Sequence, residues 1–320
     1  MGFQAVRFQY ENKTGWGVVS KNFIHVLPGT YPTLKDFLKN GMEEARNIQR
    51  EGSGTVLSLE DVTLLSPVTK PAKIICQGAN YAAHREEVGF DGNRPPFNLI
   101  FSKADSALTG PYSEIIRPRR VRLLDYEIEL GLIIGKEITE PVRVTEESLK
   151  DYVCGLVIVN DLSARDVQFL EGQWLKGKSF RTFAPSGPYL YLLDEKDYAK
   201  LGELELKLWV NGELRQSACT DQLLYQPAET IAELSEIMDL SPGDLIATGT
   251  AGGVAMNLTT EELAKLISPE LSYDEKERLL LDSQLNNEKY LQNGDVIRCT
   301  IRSKDGTIDL GEQRTTVRAE

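Results

Sequence analysis

Cysteine is scarce in this 320-residue chain. The four residues, Cys76, Cys154, Cys219 and Cys299, lie far apart and form no C-x-x-C pair. That pattern suggests neither a disulfide scaffold nor a cysteine-built zinc site. It fits free thiols in a reducing compartment, and a cytoplasmic location is the expectation. Only two histidines are present, His25 and His84. No apolar run approaches the ~18 residues needed to cross a bilayer, so no membrane partner is expected. The segment Met1–Val6 has no basic stretch followed by an apolar one, which reads as no secretory signal. Basic charge is also short: 36 Lys and Arg stand against 48 Asp and Glu, a net charge of −12. Such a surface repels a phosphate backbone, so no nucleic-acid partner is expected. The local exception is Arg117, Arg119, Arg120 and Arg122. It reads first as a solvated basic loop and second as a lure for an anionic substrate. Neither a G-x-G-x-x-G after a strand nor a phosphate-binding G-x-x-x-x-G-K-[ST] occurs.

What is there is an ordinary globular composition, 41% hydrophobic and 26% charged. The pattern predicts a small N-terminal α/β domain over 1–68. It has strands near 3–8 and 15–19 and a helix over roughly 33–50, with Thr33 as its N-cap. The prolines at 67 and 71 mark a linker. A main domain over 69–320 follows. Its strands are predicted at 73–77, 97–101, 125–134, 154–160, 188–193, 204–211, 244–248 and 294–302. Helices do not alternate with them, which argues against a doubly wound sheet. The fold class expected is α+β, mainly β. Residues 257–290 read as an inserted pair of short helices. Thr259 with Glu262 and Ser272 with Glu275 form their capping boxes. A lid, a dimer contact or decoration are all open for this insertion, with decoration as the default.

The most informative stretch is Asp125-Tyr126-Glu127-Ile128-Glu129-Leu130-Gly131-Leu132-Ile133-Ile134. On one continuous strand, alternate residues share a face. Ile128, Leu130, Leu132 and Ile134 would face a core, and Asp125, Glu127 and Glu129 the other side. Carboxylates about 6.6 Å apart repel, and a divalent cation would offset this. Oxygen ligands suit Mg²⁺, Mn²⁺ or Ca²⁺ better than Zn²⁺. A solvated acidic strand face is the alternative. A second apolar run, 154–160, ends in Asp161, either a ligand or a helix cap. His84 and Glu87 at i, i+3 on a helix could form a proton-transfer pair or an ordinary surface pair. His25 reads as structural.

Together these pieces resemble the fumarylacetoacetate hydrolase superfamily. The resemblance is carried by Asn80-Tyr81-Ala82-Ala83-His84 with Glu87, by Asp125 to Leu130, and by Asn160-Asp161-Leu162-Ser163-Ala164-Arg165-Asp166-Val167-Gln168. Gly177-Lys178-Ser179-Phe180, Val210-Asn211-Gly212 and Thr248-Gly249-Thr250 complete it. It implies a mixed β-roll of the superfamily's C-terminal domain type and, commonly, a homodimer. It implies Glu127, Glu129 and Asp161 as ligands of Mg²⁺ or Mn²⁺, with Ca²⁺ as a possible substitute. It further implies His84 and Glu87 as a water-activating dyad, Lys178 facing metal and substrate, and Arg165, Gln168 and Thr250 lining the substrate pocket. Departures at Gln77, Arg181 and Ala251 bear on the substrate rather than on the metal.

The expected activity is metal-dependent C–C hydrolysis of a small β-diketo acid, an acylpyruvate or a fumarylacetoacetate-like compound. The same enolate chemistry serves a decarboxylase or isomerase of a keto acid or oxo-dienoate, of the oxaloacetate or 2-hydroxyhepta-2,4-diene-1,7-dioate type. A catalytically silent protein that binds metal and carboxylate and works through contacts is the third reading.

Overall fold

The computed structural model describes residues 2–320. An eleven-stranded mixed sheet forms its backbone. Along it run Val56–Ser58, Phe23–Val26, Lys13–Ser20, Phe3–Tyr10, Leu190–Leu192, Val153–Asn160, Ile128–Ile134, Leu245–Thr250, Ile74–Gly78 and Leu99–Lys103, while Thr63–Leu65 pairs beside Phe3–Tyr10. Most neighbours are antiparallel, but Leu245–Thr250 and Ile74–Gly78 are parallel. A second, five-stranded sheet runs Glu213–Cys219, Leu204–Val210, Val296–Ser303, Asp309–Ala319 and Glu114–Arg117. This is the α+β, mainly β architecture that the sequence predicts.

The central strand Ile128–Ile134 is buried on both faces. Ile128, Leu130, Leu132 and Ile134 share one core with Leu204, Leu206 and Leu208 of the second sheet. Ile133 faces the other core, with Trp16, Leu34 and Phe37 from the N-terminal segment. Each such side chain contributes about 1.5–3 kcal/mol on burial. The opposite face is therefore not an acidic, wet surface. Below Glu129 it is apolar, because the first 68 residues cover it. Their strand Phe3–Tyr10 joins the main sheet through Leu190–Leu192.

The predicted N-terminal helix is two helices, Leu34–Asn40 and Met42–Glu51, divided at Gly41. Thr33 caps the first one in a reciprocal box with Asp36. Trp16 stacks on Phe37 at 4.4 Å between ring centroids, which locks this helix to the sheet. The insertion contains helices Thr260–Ile267 and Tyr273–Gln284, each with the expected capping box. The arginine cluster is dispersed. Arg117 bonds Leu291 and Gln292, Arg120 lies over Phe180, and Arg122 pairs with Glu277 of the insertion. The main strands were legible from turn signals, whereas Glu213–Cys219 and Asp309–Ala319 were not predicted at all.

Candidate active site

The acidic segment does not run as one strand. Leu124–Asp125 pairs with Ser163–Ala164, and a new strand begins at Ile128. Between them the Glu127 amide donates to Asn160 Oδ1 at 2.9 Å, and the Ile128 amide donates to Gln216 Oε1 at 3.0 Å. Side chains take the place of ladder partners here, so the backbone is free to turn. Asp125 is not one of the three converging carboxylates, although it shares Arg165 with Glu127. Its carboxylate accepts from the backbone amides of Tyr126, Ala255 and Met256 and from Arg165 Nε.

Glu127 and Glu129 meet Asp161, which follows the neighbouring strand Val153–Asn160. Each offers an oxygen within 4.8 Å of the others, and all three are buried. Cationic side chains crowd two of them. Lys178 Nζ reaches Glu127 at 2.5 Å and Asp161 at 2.7 Å. Arg165 Nη2 reaches Glu127 at 2.5 Å, and Lys103 pairs with Asp161. Glu129 has no ion-pair partner among the described residues. It accepts only the Gly249 amide, at 2.9 Å. Burial, then Asp161, then Glu127 push its carboxyl well above the usual range. Burial also pushes Glu127 up, but Arg165 and Lys178 outweigh it and hold that carboxyl well below its ordinary value. Lys178 is raised in the same contest, with Asp161 and Glu127 overcoming desolvation. For Lys103 desolvation wins, and its ammonium is lowered.

These donors fit a hard divalent cation: three buried carboxylates converge, and one is left without a compensating charge. One consequence concerns stability. Above the ordinary Glu value of 4.5, the unfolded chain has lost the Glu129 proton and the folded one keeps it. Folding then takes up a proton, so stability falls as pH rises until the folded carboxyl ionises. The expected result for metal-free protein is a loss of up to about 1.4 kcal/mol per pH unit across that window. Urea midpoints at several pH values measure it, and Mg²⁺ or Mn²⁺ should restore the loss.

His84 and Glu87 sit on the short helix Ala82–Glu87, with His84 Nδ1 3.9 Å from Glu87 Oε2. That is ion-pair range, longer than a hydrogen bond. Both Glu87 oxygens accept the Gly253 amide, at 2.7 and 2.9 Å. His84 lines a narrow cavity of about 30 Å³ with Glu127, Glu129, Lys178, Phe101 and Trp174. Arg165, Gln168 and Thr250 line it too, but their polar groups are turned to the framework. Arg165 Nη1 donates to Gln168 Oε1 at 2.9 Å. The Thr250 hydroxyl donates to Ile128 and accepts from Gln216. All nine sequence-proposed residues thus reach one neighbourhood, although three of them spend their bonds on holding others. His25 lies elsewhere, its Nδ1 3.2 Å from the Ser53 carbonyl. Sequence reasoning missed Lys103. Its signal was a lysine just past a predicted strand, in Phe101-Ser102-Lys103. It also missed Asn160 and Gln216 as side chains that shape the backbone.

Three comparisons bear on this arrangement. The family model described as fumarylacetoacetate (FAA) hydrolase C-terminal matches residues 73–318. A mitochondrial oxaloacetate tautomerase of Rattus norvegicus is 39% identical over 251 residues, covering 77% of each chain. Among solved structures, a fumarylacetoacetate hydrolase from Exiguobacterium antarcticum superposes with a TM-score of 0.74 at 29% identity, over 99% of this chain and all of that one. A maleylpyruvate hydrolase from a Sphingobium species gives 0.71 at 27%, over 99% of this chain and all of that one.

Proposed function

The chain belongs to the fumarylacetoacetate hydrolase family, and from that premise we propose that it interconverts the keto and enol forms of a short 2-oxo diacid of the oxaloacetate class. The observation that carries the reading is the convergence of Glu127, Glu129 and Asp161, with Lys178 and His84 lining the same narrow cavity as the two glutamates. The tautomerase name of the rat relative supports the choice of reaction.

In this reading Glu127, Glu129 and Asp161 hold Mg²⁺ or Mn²⁺, which when bound supplies a Lewis acid to a carbonyl oxygen. The chain's own groups do the rest. Lys178 Nζ is fixed between Glu127 and Asp161, and it stabilises negative charge that develops on substrate oxygen. His84 takes a proton from the carbon beside the ketone. The C–H electron pair becomes the C=C bond of an enolate, and a proton on that oxygen completes the enol. The reverse path delivers the proton to carbon. Glu87 orients the imidazole and is itself held by Gly253. Phe101 and Trp174, in edge contact at 5.1 Å, keep one wall apolar and limit water. Arg165, Gln168 and Thr250 shape the pocket and keep Glu127 aimed inward.

Hydrolysis of a C–C bond in a β-diketo acid is the second reading. The His84–Glu87 pair favours it, because that geometry also suits activation of a water. A cytoplasmic location and a homodimer belong to the same proposal. Among the described residues no helix is long and apolar enough to cross a membrane. The deciding experiment is a substrate panel read by proton NMR with Mg²⁺, Mn²⁺ and chelator. Accelerated, metal-dependent tautomerisation of oxaloacetate, with acylpyruvates intact, is the expected result. Cleavage of acylpyruvates with no effect on oxaloacetate would replace it by the hydrolase reading.

A further inference from the structure

Residues 257–290 are an element that the chemistry above does not use. They lie against the helix that carries His84 and Glu87. The Leu258 amide donates to the Glu87 carbonyl at 2.8 Å. Gly89, just past that helix, has φ +86, and a Cβ there would stand 2.9 Å from the Thr259 carbonyl and 3.1 Å from the Leu263 Cβ. Val88, Leu258 and Leu263 share one core cluster. The end of the short helix is therefore seated on the first helix of the insertion.

The connector Gly253–Leu258 is the part that touches Glu87, and it is clamped from two sides. On the sheet side, the buried Asp125 carboxylate accepts the Ala255 and Met256 amides at 2.8 and 3.0 Å. On the insertion side, Asn287 Nδ2 donates to the Ala255 carbonyl at 2.6 Å. Gln284 Nε2 donates to the Asn257 carbonyl at 2.7 Å, and the Tyr290 hydroxyl donates to Gln284 Oε1 at 3.0 Å. Gln284 is 3% exposed, and its bond from Tyr290 forms out of water. From the connector, Gly253 passes the restraint to both oxygens of Glu87.

A six-residue helix has almost no stability of its own. Something outside it has to fix where its side chains stand. We infer that the insertion is a brace for the His84–Glu87 pair, and that Gln284 and Asn287 are positioning residues that act through the connector on Glu87. The inference rests on the proposed role of His84, but its structural half does not. The insertion fixes the helix whether or not that helix carries the base.

The test uses the full-length protein with Mg²⁺ and the variants Gln284→Ala and Asn287→Ala, singly and together. Amide exchange at residues 82–90 is expected to rise roughly tenfold or more, since the local opening loses its restraint. The kcat on oxaloacetate is expected to fall by roughly tenfold or more, with KM and metal affinity within about twofold. Asp282→Ala, an exposed change on the same helix, should alter none of these. Leu280→Ala is the second control. It removes buried packing in the insertion without touching the connector bonds, and it should lower the melting temperature with a smaller kcat effect. Unchanged exchange at 82–90 in the Gln284 and Asn287 variants would overturn the brace. So would a Leu280→Ala enzyme that loses as much kcat at equal stability. If the double variant does not fold, Asn287→Ala alone carries the decision. Raised exchange together with full activity in His84→Ala would leave the brace standing and remove the dyad.

Discussion

Glu129→Gln is expected to raise the stability of the metal-free protein at neutral pH while abolishing metal binding. Two carboxylates within 4.8 Å repel by about 3 kcal/mol or more at an effective dielectric of ~20. Glu127 and Asp161 have lysine and arginine partners that absorb this cost, and Glu129 has none among the described residues. An amide keeps an oxygen for the Gly249 N–H and deletes the unbalanced charge. The gain should be about 1–3 kcal/mol, smaller than the bare repulsion because the folded wild type escapes part of it by protonation. The fall of stability with rising pH should vanish in the same variant, since its cause is gone. Metal affinity should drop by at least about 100-fold, and metal-dependent turnover should fall to background. Calorimetric metal titration and urea unfolding at two pH values measure both halves. A variant that keeps its affinity would show that Glu129 is not a ligand, whatever happens to stability.

His84→Ala should act in the opposite sense, on turnover and not on the metal. The histidine contributes to no ion pair with the carboxylate triad, and its ring lies by Glu87 on a separate short helix. Removal of a general base costs about 100-fold or more in kcat. Metal affinity should stay within about twofold of wild type. Glu87→Gln should retain more activity than His84→Ala, because it weakens the orientation of the ring and leaves the ring in place. Isotope exchange at the carbon beside the ketone, followed by NMR, reads the proton transfer directly. Wild-type exchange rates in His84→Ala would transfer the role of base to another group.

Both predictions depend on neighbours that a linear reading could reach only in part. The carboxylates, the His84–Glu87 pair and Lys178 were singled out by the resemblance that the motifs carry together, since each motif alone left an ordinary structural reading open. The alternation of Ile128, Leu130, Leu132 and Ile134 correctly marked one core face. The same alternation did not show that Asp125 stays out of the converging triad. Nothing local announces that the strand breaks between 125 and 128, because the break is stabilised by Asn160 and Gln216, which lie 33 and 88 positions away from the amides they bind. The alternative of a solvated strand face failed for a similar reason. Its cover comes from Trp16, Leu34 and Phe37, about a hundred residues earlier. Long-range pairing leaves no periodic trace at either end.

By itself the sequence determined the kind of molecule and the list of chemical groups. The mainly β architecture follows from short apolar runs punctuated by turns, and the three acids, the histidine and the lysine stand out through the family resemblance of their motifs taken together. Both depend on local patterns, which survive in one dimension. The tertiary structure alone decided which carboxylate goes uncompensated, and that Arg165 serves Asp125 and Glu127. It alone shows that residues 257–290 rest on the helix of His84 and Glu87. Charge balance and restraint are properties of distance between groups, and distance is set only when remote segments pack.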